Sequence, residues 1–557
     1  MPARRGSPLR SPAALPVALA LLAAACAGDD QAASDAGSTG AATTDGSTSA
    51  SDGSTSDGMT EETGTTAGET TGEVGPPPLP PLDAAPLTLD GRRVPVKLQA
   101  AEPLEDPRVP ANLELLLDLG YGDVMDAPGE PIVDRTLGDG PAPTPGAGAA
   151  LLTRFVHLAD TQLADDESPT RVALLDSPDA LNSAFRPQEA HMCQVLNAAA
   201  RTINAIAGER PLDFVLLGGD NIDSVQGNEL DWFVRILDGG PGPVHCDSGA
   251  DDDPLAGPDN DPKDPFTPVG LDVPWRWVNG NHDVLVQGNF TVSSQANLAI
   301  GDKADGGTRD WSMPGGPIVT GTIVADPARA LQTVPELLER VASAGDGHGI
   351  DAATVDRGRA LYDFAIGDSG VRVVVVDTAA ATGADLGVIH AADVDAYLRP
   401  TLDAAEAAGE AVIIASHHCS TSLSDGGGLG GTVQEDALTT ADWQAFLGEY
   451  DGVILHLCAH SHRHRVDAIE PLGGSPYWEM RTASLVDHPQ QMRVVELRDE
   501  DNGYLSVTGI AFDFYDADDP LAAAGRARAV LDYTSDWRGT GEGASEDRNV
   551  RLWMPLP

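Results

Sequence analysis

Apolar residues along this chain fall into short, β-branched runs that end in a polar residue, with helical text between them. The runs are TRFVHLAD (153–160), DFVLLGGD (213–220), WRWVNGNHD (275–283), VRVVVVDT (371–378), AVIIASHH (411–418) and DGVILHLCAHSH (451–462). Runs without polar alternation predict strands buried on both faces, as in layered α/β folds. PQEAHMCQVLNAAARTINAIA (187–207), PELLERVASAG (335–345) and AADVDAYLRPTLDAAEAAG (391–409) predict helices, the last kinked at Pro400 and stopped at Gly409. YWEMRTASLVDHPQQMRVVEL (477–497) predicts further strands closing a second sheet, with TASLVDHPQQ as a rim loop. Upstream, residues 83–150 read as an arm with one helix, ANLELLLDLG (111–120), packed on the body.

The polar endings carry the chemistry. Ligands of open α/β sheets gather at the carboxyl ends of the strands, so residues distant in sequence converge on one rim. The endings supply Asp160, Asp220, Asn281, His417 with His418, and His460 with His462. Carboxylate, carboxamide oxygen and neutral imidazole suit Mn, Fe, Zn and similar divalent ions. Two carboxylates alone would repel; a pair of cations about 3.5–4 Å apart removes that conflict.

Four motifs then stand in a telling order: GGDNID (218–223), NGNHD (279–283), ASHHCS (415–420) and AHSHRH (459–464). Together they resemble the calcineurin-like metallophosphoesterase superfamily, which includes the purple acid phosphatases, over residues 151–515. The resemblance implies a four-layer α/β/β/α sandwich of two mixed sheets flanked by helices, with the metal site at the C-terminal ends of the strands. It implies that Asp220 bridges two metals, that Asp160 and His462 complete one, and that Asn281, His417 and His460 complete the other. His417 is taken as the ligand ahead of His418, although Cys419 stands where the family has proline. His282 becomes the histidine that stabilises the phosphoryl oxygens and protonates the leaving group, with Asp283 holding its tautomer and Asp223 in support. The implied reaction is hydrolysis of a small phosphomonoester or phosphodiester by a metal-bound hydroxide.

The chain departs from the family at Gln162, where histidine is usual. A carboxamide oxygen is a neutral donor, weaker than imidazole toward Zn or Fe, so the Asp160/Gln162 site is expected to favour Mn, Mg or Ca. Gln162 is also the ground for an alternative: a surface-tethered binding protein on a catalytically impaired scaffold. Ala459 replaces the glycine of GHxH, which matters only if the backbone there must be left-handed.

The remaining text concerns placement. Arg4, Arg5 and Arg10 precede the apolar AALPVALALLAAA, which reads as an export signal over residues 1–26, and LLAAAC resembles a lipobox ending at Cys26. Residues 27–82, rich in Ser, Thr, Gly and Asp and then Pro, predict a disordered linker with a reach on the order of 40 Å. An exported lipoprotein of a bacterial envelope is therefore expected, touching membrane only through its anchor. The net charge of -52 repels phosphate backbones and excludes non-specific nucleic-acid binding. Nothing in the chain points to a protein partner. The Asp-rich text 247–264 reads as a solvated surface excursion rather than a calcium loop. Cys193, Cys246, Cys419 and Cys458 allow three pairings, and Cys419 and Cys458 each lie close to a histidine cluster. Residues 516–557 read as a C-terminal extension.

Overall fold

The computed structural model describes residues 76–138, 140–178, 183–249, 253–258, 260–538 and 541–557. The signal-like segment, Cys26 and the linker up to residue 75 lie outside them. The strands of the two large sheets are, in chain order, β1 (Val133–Thr136), β2 (Ala150–Leu158), β3 (Val215–Leu217), β4 (Trp275–Arg276), β5 (Tyr362–Ala365), β6 (Val371–Val375), β7 (Ala411–Ala415), β8 (Val453–Cys458), β9 (Arg465–Ile469), β10 (Tyr477–Arg481), β11 (Gln491–Asp499), β12 (Tyr504–Asp513) and β13 (Val550–Pro555).

Six of them form one sheet in the order β9-β10-β8-β7-β6-β5, and seven form the other as β1-β13-β12-β11-β2-β3-β4. In the first, β6, β7, β8 and β10 run parallel; in the second, β2, β3 and β4 do. Both sheets are mixed because antiparallel strands extend the parallel centre. Period-two alternation divides the apolar side chains between two cores. Val373, Val375, Ile413 and Ala415 join Phe155, Val494, Val495 and Leu497 of the other sheet in one cluster. Val374, Val376, Val412 and Ile414 point the other way, onto Leu402 of α2 (Arg399–Ala408) and Trp443 and Phe446 of α3 (Thr440–Leu447). The result is two facing mixed sheets with helices outside, the layering that the resemblance implies.

Three features differ from the expectations or refine them. The segment 477–497 does not close one sheet: β10 belongs to the six-stranded sheet and β11 to the seven-stranded one, so TASLVDHPQQ crosses between them. The arm and the C-terminal extension are part of the larger sheet, since β13 pairs antiparallel with β12 and parallel with β1. The helix interrupted by Pro400 absorbs it with a π-helical turn at Val394–Leu398, which accommodates a proline without an N–H to give.

The Asp-rich excursion is also anchored more deeply than composition suggests. Asp261 and Lys263 are buried, and Lys263 Nζ lies 2.9 Å from Asp166 Oδ1, 3.0 Å from Glu167 Oε2 and 3.6 Å from Asp247 Oδ1. The cysteines pair as Cys193–Cys246 and Cys419–Cys458. Among the described residues no helix is long and apolar enough to cross a membrane.

Candidate metal centre

The parallel strands of each sheet deliver their carboxyl ends to one edge, and the chain turns sharply as it leaves them. Asp160, Gln162, Asp220, His460 and His462 all have left-handed backbones, with φ of 49°, 41°, 52°, 71° and 60°. Such a conformation costs a non-glycine residue about 1–3 kcal/mol and persists only where its surroundings enforce it. Here the enforcement is backbone pairing. Asp160 N donates to Gly219 O at 3.1 Å, Gln162 N to Asp220 O at 2.8 Å, and Ala459 N to His417 O at 2.8 Å. The DTQ and HSH segments thus share one device, two left-handed residues separated by one. Ala459 itself does not have a positive φ, so the methyl group in place of glycine is tolerated. Gly219 cannot be replaced so easily: its φ is 82°, and a Cβ there would lie 2.8 Å from His417 Nδ1 and from Gly280 N.

The predicted ligands meet around Asp220. Ligand atoms of Asp160, Asp220 and His417 lie within 4.8 Å of one another. Gln162 Nε2 donates to Asp220 Oδ2 at 3.2 Å. His282 N donates to Asp220 Oδ1 at 2.8 Å, so the turn that carries Asn281 reaches the same carboxylate. His462 Nε2 is 3.4 Å from Asp160 Oδ1, and His460 N donates to both Asp160 oxygens at 3.2 and 3.3 Å. The His460 ring centroid is 5.2 Å from that of His417.

The two adjacent histidines have different jobs. His417 Nδ1 donates to Gly218 O at 2.8 Å, which turns its Nε2 toward Asp220 Oδ2 at 3.1 Å and Asp160 Oδ1 at 3.9 Å. His418 has both nitrogens engaged, Nε2 with Asp385 O at 2.9 Å and Nδ1 with the Thr378 hydroxyl at 2.9 Å. Burial, with His417 beside it, takes His418 down to about 3, so it is neutral.

Among the proposed ligands, three buried side-chain atoms have no hydrogen-bond partner: Gln162 Oε1, Asn281 Oδ1 and His417 Nε2. His417 Nε2 is close to Asp220, but not in hydrogen-bonding geometry. An unpartnered buried polar atom costs about 1–3 kcal/mol, and three around one carboxylate fit cations. Burial alone would raise Asp220, yet His417, His282 and His460 outweigh it and hold the carboxyl well below its usual range. Burial is likewise outweighed at His417, which Asp220 and Asp160 push up to about 9. A divalent ion takes the place of such a proton.

His282 is buried, and its Nδ1 lies 2.8 Å from Asp223 O and 3.3 Å from Asp223 Oδ1. A carbonyl only accepts, so Nδ1 carries a proton toward Asp223. The expectation that Asp283 holds this tautomer is corrected: Asp283 accepts from Asn221 N, Ile222 N, Gly280 N and the Asn221 amide at 2.7–3.1 Å. Asp283 fastens the GNHD turn to the GGDN turn, while Asp223 orients His282. Asp377, at the end of the VRVVVVDT run, accepts from Asn279 Nδ2 at 2.9 Å and steadies the same turn.

Asp487 was missed as a site residue. Its Oδ2 holds His462 Nδ1 at 2.6 Å, and Arg538 Nε, from beyond α4 (Pro520–Thr534), lies 2.7 Å from that oxygen. The rim loop TASLVDHPQQ was the only signal for it. The Cys419–Cys458 bridge ties the segment after His417 and His418 to the segment before His460 and His462.

No model of a known family matches the chain, and no curated protein does. Among solved structures, a dimetal phosphatase from Danio rerio is 13% identical, covers 66% of this chain and 100% of its own, and has a TM-score of 0.35. The sulfate thiohydrolase SoxB from Thermus thermophilus is 12% identical, with 71% of this chain and 61% of its own covered and a TM-score of 0.28. The purple acid phosphatase PPD1 from yellow lupin is 11% identical, with 70% and 54% covered and a TM-score of 0.25. These scores are low, and the reading of the chain rests on its own residues.

Proposed function

We propose that this chain is a metal-dependent phosphoesterase of the calcineurin-like kind, hydrolysing a small phosphomonoester or phosphodiester. The observation that carries the reading is that Gln162, His417 and the turn bearing Asn281 all reach the Asp220 carboxylate, while Gln162 Oε1, Asn281 Oδ1 and His417 Nε2 are buried without a hydrogen-bond partner. Asp220 would bridge two divalent ions, with Asp160, Gln162 and His462 on one and Asn281, His417 and His460 on the other. Ions held there supply Lewis acidity, neutralising phosphoryl oxygens and acidifying water.

The chain's own residues do the rest. His282 acts in its doubly protonated form, for which burial is outweighed by Asp220 and Asp223: with Nδ1–H committed to Asp223, Nε2–H steadies a phosphoryl oxygen and passes its proton to the departing alkoxide, leaving the neutral ring. Asp283 sets the height of that imidazole by fixing the turn that carries it. The His417 Nδ1 bond to Gly218 O and the His462 Nδ1 bond to Asp487 fix both rings with Nε2 toward the carboxylates. A net charge of -52 favours small substrates over nucleic acid. We further propose export with a lipid on Cys26, which predicts that acyl labelling of the full chain is lost in Cys26→Ser.

Metal content combined with a panel of phosphate mono- and diesters tests the reading. Purified protein should retain Mn, Fe or Zn, and Asp220→Asn and His282→Ala should each lower turnover by at least about 100-fold. Full activity in both variants would refute it. A protein that neither keeps metal nor turns over any ester would support the binding-protein alternative.

A further inference from the structure

Two histidines of the site are held by buried aspartates: His462 Nδ1 by the Asp487 carboxylate at 2.6 Å, and His282 Nδ1 by Asp223, through its backbone O at 2.8 Å with the carboxylate Oδ1 at 3.3 Å. One guanidinium reaches both carboxylates. Arg186 Nε donates to Asp487 Oδ1 at 3.0 Å, and its Nη1 lies 3.8 Å from Asp223 Oδ1. Arg186 is itself only 1% exposed. Its neighbour Gln188 donates to Asp487 Oδ1 at 3.2 Å and to Val486 O at 3.1 Å, holding the segment against the rim loop. Arg171 supports the outer oxygen of Asp223 at 2.5 Å, as Arg538 supports that of Asp487.

We propose that Arg186 is a positioning residue that couples the two ends of the site, through the path His462–Asp487–Arg186–Asp223–His282. This inference rests on the metallophosphoesterase reading and adds to it a link between metal affinity and delivery of the proton. The physical ground is burial: in a low-dielectric interior a charge interacts strongly over the distances seen here, and a planar guanidinium serves two anions that an ammonium would serve one at a time. Loss of the arginine would leave Asp487 to Arg538 and Asp223 to Arg171, each carboxylate losing one of its guanidinium partners at once. Asp487 would then hold His462 less well and Asp223 would hold His282 less well.

The test uses the full chain with Arg186→Met, Arg186→Lys, Asp487→Asn and Asp223→Asn. Two quantities are read: Mn and Zn affinity by chelator competition, and the ratio of kcat/KM for 4-nitrophenyl phosphate to that for phenyl phosphate, which rises when protonation of the leaving group fails. Asp487→Asn should weaken metal binding by about 10-fold or more and move the ratio little. Asp223→Asn should raise the ratio and change metal affinity little. Arg186→Met should do both, and Arg186→Lys should recover one in part but not both. A folded Arg186→Met with neither defect, or with one alone, would overturn the proposal. Should Arg186→Met not fold, Asp487→Asn combined with Asp223→Asn decides: coupling requires departure from multiplicative effects, and strict multiplicativity refutes it. If the unsubstituted chain binds no metal and cleaves no ester, the functional reading fails by itself. In that event the imidazole 15N shifts of His282 and His462 judge the coupling: both move in Arg186→Lys if it is real, and neither moves if it is not.

Discussion

Gly288 offers a sharp separation of local chemistry from general stability. Its φ is 67°, and a Cβ built on it would lie 2.4 Å from Asn281 Nδ2 and 2.5 Å from His282 Nε2 and Cδ2. Its carbonyl also accepts from Asn281 Nδ2 at 3.1 Å, which turns the opposite amide atom, Oδ1, toward the site. Alanine at this position takes on left-handed strain of about 1–2 kcal/mol. The overlap also requires Asn281 and His282 to retreat by about 1 Å, a misplacement able to cost on the order of 100-fold in rate. Gly321 is the control, with a φ of 97° and nothing within 4 Å of its would-be Cβ. Gly321→Ala should therefore lose about 1–2 kcal/mol in a denaturant titration, and Gly288→Ala that amount plus an overpacking cost of about 1–3 kcal/mol. Only Gly288→Ala should lose turnover, by about 100-fold, with bound metal also reduced. Turnover within twofold of the parent in a folded Gly288→Ala would refute the geometry, and an equal loss in Gly321→Ala would show that stability alone is being read.

Three other outcomes are expected. Gln162→His exchanges a carboxamide for imidazole beside Asp220, so Zn affinity should rise relative to Mn in a competition titration; an unchanged ratio places residue 162 outside the metal's contacts. Removing the Cys419–Cys458 bridge by double serine substitution frees a loop of 39 residues in the unfolded chain and should lower stability by about 4 kcal/mol. Metal content should change far less, because Ala459 N still bonds His417 O; metal lost in proportion to stability would count against this. Burial raises Asp176 to about 7 and Asp532 well above its usual range. A carboxyl raised in the folded state adds stability in full below its unfolded pKa, near 4, and loses it as pH climbs through the folded value. Melting temperature should thus fall between pH 5 and pH 8, less so in Asp532→Asn; a rise over that window contradicts the assignment.

Much of the site was legible because its residues stand at strand ends, where order along the chain maps onto a single rim. Asp160, Asp220, Asn281, His417, His460 and His462 are met in space as the sequence order implies. What could not be read depends on tertiary partners. Asp487 stands 25 residues beyond His462 in sequence yet shares a 2.6 Å contact with it, because the chain crosses from one sheet to the other between them. Asp283 looked like the partner of His282 by adjacency, but in the one-turn helix Asn281–Val284 its carboxylate turns back to the backbone amides. Lys263 is one cation in strongly acidic text, and only the fold reveals that three buried carboxylates surround it. Asp165, Asp166 and Glu167 of the stretch after Gln162 likewise join a buried ion network, with Arg329, Lys263 and Arg309, that only the fold assembles.

The placement of β13 sets a clock on folding. β1, near residue 133, pairs in the sheet only with residues 550–553, the last strand of the chain. At 5–20 residues per second, the roughly 410 residues between them take about 20–80 s to synthesise. Throughout that interval β1 has nothing to join, and from its own synthesis until β13 follows, β12 presents an open edge, a state in which unpaired strands invite the wrong neighbour. A chain cut just short of its C-terminus would keep every proposed metal ligand yet remain in that unfinished state.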